Sequence, residues 1–169
     1  MEVFECIRRW RTVREFKPDP IPEEVLDNIL QAGRWAPSSS NSQPWHFLVV
    51  QNAATLEKLG GIATQGSFIA HAPLAIVILM ENATRPQLDA GRALQQMELV
   101  AWSEGLGTCF VGVRQEEQQR AVKELLGIPA ELELITIMPY GYRLPNTERR
   151  GTPRKPLSQM VHREKFVAG

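Results

Sequence analysis

Four runs rich in β-branched and aromatic residues narrow the choice of folds for this chain. Turn residues bound each run, which is typical of strands. The runs are residues 46–50, 74–80, 108–113 and 132–141. Between them, apolar residues recur at helical spacing and predict helices at residues 56–62, 88–107 and 117–127. Strands separated by helices favour a mixed α and β domain over a β-sandwich.

Two further helices precede the first strand. Apolar residues at helical spacing predict a short helix around Val3 and Ile7, and residues 18–34 place Pro22 in the first turn of a second helix. The helix predicted at 88–107 is the longest and has a narrow stripe of small and apolar residues. The stripe consists of Ala90, Ala93, Leu94, Met97 and Ala101. We therefore expect this helix to be the central one.

The overall size and charge limit the possible functions. A chain of 169 residues is typical of a single domain, so we predict one domain over residues 1–169. The 19 basic and 19 acidic residues balance, which provides no global field for nucleic acid or an anionic membrane. The longest apolar run, at 73–80, is too short to span a bilayer, and the first ten residues do not resemble a signal peptide. We expect a cytoplasmic protein.

The composition changes from about residue 142. Residues 142–169 are basic, interrupted by prolines and poor in apolar residues, so this tail either stays disordered or lies along a partner. Basic residues cluster near both ends of the chain. They are Arg8, Arg9, Arg11 and Arg14 at the start, and Arg149, Arg150, Arg154 and Lys155 near the end. Arginine forks suit a phosphate monoester, and a solvated charged face is the other interpretation.

The sequence contains no recognisable set of residues that would catalyse a reaction through side chains alone. Cys6 and Cys109 are far apart and beside apolar residues, which indicates buried reduced thiols. The three histidines lack metal-ligand spacing, and the serines at 38–40 lack the hydrolase motif. The segment 105–112 departs from the dinucleotide-binding glycine pattern. These observations point to chemistry performed by a cofactor.

The stretch RWAPSSSNSQPWHFLVV, residues 34–50, has more hydrogen-bonding capacity than a connection needs. Its core has the form A-P-S-S-x-N-x-Q-P-W-H-F, and an R-x-V-R-x-F segment lies about twenty residues upstream. This combination resembles the FMN-dependent nitroreductase family. The matching stretches follow one another in the family's order along nearly the whole chain, at residues 11–16, 36–47, 89–112 and 153–162.

The resemblance implies a fold and an activity. The fold is α+β and nitroreductase-like, with a central mixed, mostly antiparallel sheet flanked by helices. The implied assembly is a homodimer with two FMN sites at the interface and the tail from about residue 142 wrapping the partner. The implied enzyme passes two electrons from NAD(P)H to an electron-poor small molecule, such as a nitroaromatic or a quinone, by a ping-pong mechanism. The alternative is a non-catalytic module that stores or senses FMN.

The resemblance also assigns roles to residues of the first helix and its exit. By position, Trp10, Arg11, Thr12 and Arg14 match the family element that contacts the FMN phosphate, ribityl chain and pyrimidine edge. Trp10 stands where the family has an arginine, so Arg11, Arg9 or a tail arginine must supply the phosphate contact. Arg14 matches the cation near flavin N1 and O2. In the tail, Arg154 matches the second phosphate element, with Lys155 and Arg150 as secondary ligands.

Two other segments match family elements. The resemblance implies that Pro37, Ser38, Ser39 and Ser40 pack against the isoalloxazine edge of the partner subunit's flavin. Asn41 and Gln43 would offer amides to the flavin or to the loop itself. A self-satisfied turn capped by Trp45 is the structural alternative. Gly112 or Val113 would donate a backbone N–H to flavin N5, while Gly105 and Gly107 are expected to end the preceding helix.

Overall fold

A four-stranded sheet organises the computed structural model, which describes residues 2–145, 147 and 153–166. Its strands are β1 (Trp45–Val50), β2 (Leu74–Met80), β3 (Leu106–Thr108) and β4 (Glu133–Tyr142), in the order β1-β2-β4-β3. All three pairings are antiparallel. The parallel component of the predicted mixed sheet is limited, within the described residues, to an isolated bridge between Thr12 and Thr108.

Five helices pack around this sheet in the described part of the chain. They are α1 (Val3–Arg9), α2 (Glu23–Arg34), α3 (Ala53–Ile62), α4 (Pro86–Ser103) and α5 (Glu116–Leu126). All five were predicted, but α3 begins three residues early because Asn52 caps it, its Oδ1 accepting from Thr55 N at 3.0 Å. The α+β fold class is confirmed. No helix among the described residues is both long and apolar enough to span a membrane.

The sheet is buried on both faces because helices cover each of them. Every residue of β2 is buried, and successive side chains enter opposite clusters. Val77 packs in a cluster with Leu59 of α3 and Val122 of α5. Ile76 packs in the other, with Ile29 of α2 and Met97 of α4. The predicted central position of α4 is confirmed, since its whole stripe of small and apolar residues is buried.

The exit of α4 differs from the prediction. The helix was expected to continue to residue 107, but it ends at Ser103 and Gly105 adopts a φ of +86° just beyond it. Gly107 lies in β3, where an added Cβ would come within 2.5 Å of Val13 Cβ. The prediction that Gly107 ends the helix was therefore wrong. Its role is to let the backbone near Val13 approach β3.

The strand predicted at 108–113 is also corrected. Only Thr108 belongs to a strand, and the chain then leaves the sheet, returning in a single bridge between Val111 and Ile137. Val111 and Val113 are buried in the cluster that contains Val77. Their apolar character therefore reflects tertiary burial and not a ladder of strand hydrogen bonds.

The described part of the tail beyond residue 152 lies on the outside of the chain. Every residue from 153 to 166 is exposed, and Leu157 and Phe166 are 72% and 79% accessible. Arg149 and Arg150 lie outside the described residues. Wrapping of a partner by this tail stays a prediction.

Candidate functional site

The segment that follows α1 runs beside β3. Val13 N donates to Thr108 O at 2.9 Å, and Thr12 bridges Thr108. Val13 is buried against the glycine at 107, whereas Thr12 and Arg14 on either side of it are exposed. Because side chains alternate along an extended segment, burying Val13 turns Thr12 and Arg14 towards the opposite side.

Thr12 and Arg14 line one cavity of about 460 Å³. The start of the tail forms another part of its wall, through Leu144, Pro145 and Thr147. Arg14 also contacts the Cys109 thiol. Burial raises the pKa of Cys109, and the Arg14 guanidinium opposes that rise. The cavity thus combines a cation, a hydroxyl group, the carboxylate of Glu15 and apolar walls, and small-molecule sites commonly mix such groups.

The other two predicted residues of this element have different surroundings. Arg11 Nη1 donates to the carbonyls of Arg8 and Trp10, at 2.7 and 2.6 Å, and so closes the C-terminal end of α1. Trp10 packs against the buried cluster of Cys6, Val13 and Trp102. Neither residue lines the cavity of Arg14. The sequence placed all four residues together, and the structure brings only Thr12 and Arg14 to this cavity.

Gly112 and Val113 line a second cavity of about 470 Å³. Its wall includes Phe110, whose side chain is 51% exposed, and Leu94 from α4. Cys109, whose thiol interacts with Arg14, directly precedes Phe110 of this wall in the sequence. Arg154 and Lys155 line neither cavity and are exposed in the tail.

Residues 37–43, here called the serine loop, have an unusual backbone. Ser40, Asn41 and Gln43 have φ values of 53°, 54° and 48°. Left-handed conformations at non-glycine residues cost on the order of 1 kcal/mol each and persist only where surrounding contacts enforce them. Within the loop, Gln43 N donates to Ser38 Oγ at 2.9 Å, and Gln43 Nε2 donates to Asn41 O at 3.4 Å. Some of the polar groups of the serine loop are therefore hydrogen-bonded within the loop itself.

A second set of hydrogen bonds restrains the serine loop and comes from α4. Asp89 is fully buried, and its two carboxylate oxygens accept from Ser39 N at 3.0 Å and from Ser39 Oγ at 3.3 Å. Arg92 Nη1 also reaches Asp89 Oδ1, at 3.3 Å. Pro37, Ser40 and Asn41 remain exposed. The loop is held at Ser39 and presents its outer residues to solvent in the single chain.

Sequence reasoning missed two buried carboxyl groups on α4. Burial raises the pKa of Glu98 to about 7. Burial raises the pKa of Tyr140 and of Cys109, and Glu98 lies close enough to both groups to add to the rise. The signal for Asp89 was its spacing, because it precedes Ala93 and Met97 by four and eight residues on the buried stripe. Among the described residues, no group of three or more potential ligands could hold a metal ion.

Comparison with known proteins gives consistent matches. The profile described as "Nitroreductase family" matches residues 7–83 and 63–142. A Methanothermobacter thermautotrophicus protein, provisionally named NADH dehydrogenase/NAD(P)H nitroreductase, is 32% identical over 89% of this chain and 82% of its own length. An Archaeoglobus fulgidus protein with the same name is 30% identical over 98% and 99%. The structure of an FMN-dependent nitroreductase from Clostridium difficile, 28% identical, superposes with a TM-score of 0.82 over 96% of this chain and 99% of that one.

Proposed function

Since this chain belongs to the nitroreductase family, we propose that it is an FMN-dependent oxidoreductase that passes two electrons from NAD(P)H to an electron-poor small molecule, such as a nitroaromatic or a quinone. The observation that carries the proposal is the cavity in which Arg14 and Thr12 meet. The cavity offers the Arg14 cation and the Thr12 hydroxyl group, which lie on the exposed side of the segment around Val13. Gly107 allows this segment to approach β3.

The residues present fit FMN. A cavity of about 460 Å³ has the size of a small-molecule site, and its walls supply both polar and apolar contacts. Arg14 and Thr12 would hold the pyrimidine edge and the ribityl chain, and the backbone near Gly112 and Val113 would face the reacting edge. For the phosphate we propose Arg154 as the main ligand, with Lys155 and Arg150 as secondary ligands. Trp10 packs in a hydrophobic cluster, and Arg11 already bonds the end of α1 through Nη1.

Bound FMN would supply the redox chemistry by accepting two electrons from NAD(P)H and passing them to the acceptor. The contribution of the chain is electrostatic and steric. Arg14 would stabilise negative charge on the pyrimidine edge of bound FMN, because a cation beside that edge offsets the charge. The cavity beside Gly112 and Val113 would receive NAD(P)H and the acceptor in turn, which is a ping-pong scheme.

A second copy of the chain would complete the site. Pro37, Ser38, Ser39 and Ser40 line neither cavity of their own chain. Apolar side chains are also exposed on α1, where Val3 is 69% and Phe4 64% accessible, and in the tail. Exposed apolar surface of this kind is typical of an interface. We propose a homodimer in which each serine loop reaches the partner's flavin.

An anaerobic titration tests the proposal. The purified protein should be yellow, NADH or NADPH should bleach its flavin absorbance, and a nitroaromatic or quinone should restore it. A protein that binds FMN but is not bleached by either nucleotide would be a storage or sensing module. A protein without affinity for FMN would refute the proposed function as a whole.

A further inference from the structure

The serine loop is held in its strained form by a residue that lies about fifty positions away in sequence. Ser39 sits immediately before the left-handed pair Ser40 and Asn41, and both of its donors, N–H and Oγ–H, end on Asp89. The Asp89 side chain is fully buried, so water does not compete for these hydrogen bonds. The restraint therefore acts at the point where the loop departs from ordinary backbone geometry.

The position of Asp89 on α4 links this restraint to the candidate site. Asp89 lies in the first turn of the helix, two residues before Gly91 and five before Leu94, and both of these line the cavity beside Gly112. The first turn of α4 thus holds the serine loop, which in the proposed dimer faces the partner's flavin, and the next two turns form the wall of a cavity in their own chain. A loop that is ordered before binding does not add its ordering cost to the binding step.

We propose that Asp89 is a positioning residue that preorganises the serine loop for contact with the isoalloxazine ring. The inference rests on the proposed function, because it takes FMN to be the ligand. Asp89 does not touch the cofactor in this scheme and acts through Ser39. Its loss should weaken binding of the flavin ring and leave recognition of the phosphate unchanged.

Four proteins test the proposal: wild type, Asp89→Leu, Asp89→Asn and Arg92→Gln. Leucine keeps the approximate volume of the side chain and removes both acceptors, whereas asparagine keeps one. Arg92→Gln is the matched control, because it removes the third partner of Asp89 and leaves both contacts to Ser39. Dissociation constants for FMN and riboflavin are measured on each apoprotein, and amide hydrogen exchange is followed at residues 38–43.

We expect Asp89→Leu to weaken FMN and riboflavin equally, by about 10- to 100-fold, the range for losing a buried hydrogen bond. Asp89→Asn should weaken both by about 3- to 10-fold, and Arg92→Gln should weaken both less than Asp89→Asn does, because the two contacts to Ser39 remain although the buried carboxylate loses its cation. Faster exchange should be confined to the serine loop, which a general loss of stability would not produce. Wild-type affinity in Asp89→Asn combined with faster exchange at residues 38–43 would overturn the proposal even where Asp89→Leu does not fold, because flavin binding would then not depend on the order of the loop. Failure of the wild-type protein to bind either flavin would instead refute the proposed function.

Discussion

Glu98 should make the folded chain less stable as the pH rises. Burial raises its pKa from an ordinary 4.5 to about 7, so the folded protein holds a proton that the unfolded chain releases between these values. The stability contributed by the protonated carboxyl is greatest below pH 4.5 and is lost as the pH rises through 7. At 1.36 kcal/mol per pKa unit, the difference between the folded and unfolded pKa of Glu98 corresponds to about 3 kcal/mol in the free energy of unfolding. About 2.5 kcal/mol of this is lost between pH 5 and pH 8.

The substitution Glu98→Gln tests this because it keeps the shape and removes the titration. Urea unfolding of wild type and variant is measured at pH 5 and pH 8, at one fixed protein concentration because dimer dissociation would otherwise contribute. All other groups titrate in both proteins, so the difference between them isolates Glu98. Wild type should lose about 2.5 kcal/mol more than Glu98→Gln between the two pH values.

The control is Glu57→Gln, which makes the same chemical change at an exposed position of α3. Its pH dependence should follow that of wild type. If Glu98→Gln also loses stability in parallel with wild type from pH 5 to 8, then Glu98 is ionised in the folded protein throughout this range. The assignment of a buried, protonated carboxyl beside Tyr140 and Cys109 would then be wrong.

Three further predictions concern the cofactor and the assembly. Arg14→Gln should retain FMN but lower its midpoint potential by roughly 20 to 65 mV, from about 1 to 3 kcal/mol of lost attraction to the reduced cofactor; an unchanged potential with FMN bound would remove Arg14 from the pyrimidine edge. Arg154→Ala should weaken FMN by roughly 2 to 4 kcal/mol, measured by titration, with riboflavin little affected; equal weakening of both would indicate a role in folding. Deleting residues 148–169 should abolish both dimer formation and flavin binding, as judged by light scattering and absorbance, and a yellow, dimeric truncation would contradict the proposed role of the tail.

The helices and strands were predicted well where the same periodic pattern of apolar residues indicated both the secondary structure and the buried face. The stripe on α4 and the uninterrupted apolar run of β2 are examples, because side chains at these positions are buried by the neighbours that the pattern implies. Residues 109–113 were misassigned for the opposite reason. Val111 and Val113 are apolar because they fill the cluster next to β2, and nothing local distinguishes that burial from membership of a strand.

The candidate site was only partly accessible to sequence reasoning. The resemblance to the family implied site roles for Thr12 and Arg14, and the structure accounts for their shared cavity by the alternation of side chains around the buried Val13. The contact between Asp89 and Ser39 joins residues fifty positions apart, so no window of sequence contains it. Burial of Glu98 depends on helix packing, and a glutamate in a sequence gives no sign of it because charged side chains are ordinarily exposed.

The close approach at Gly107 has a consequence for engineering this protein. A Cβ at position 107 would come within 2.5 Å of Val13 Cβ itself, so shortening Val13 to alanine would not make room for it. Only a backbone without a side chain at one of the two positions permits the observed spacing. A library that varies position 107 should therefore include glycine at position 13. Functional clones from it should carry glycine at one position or the other, and the two sites should be mutated as a pair.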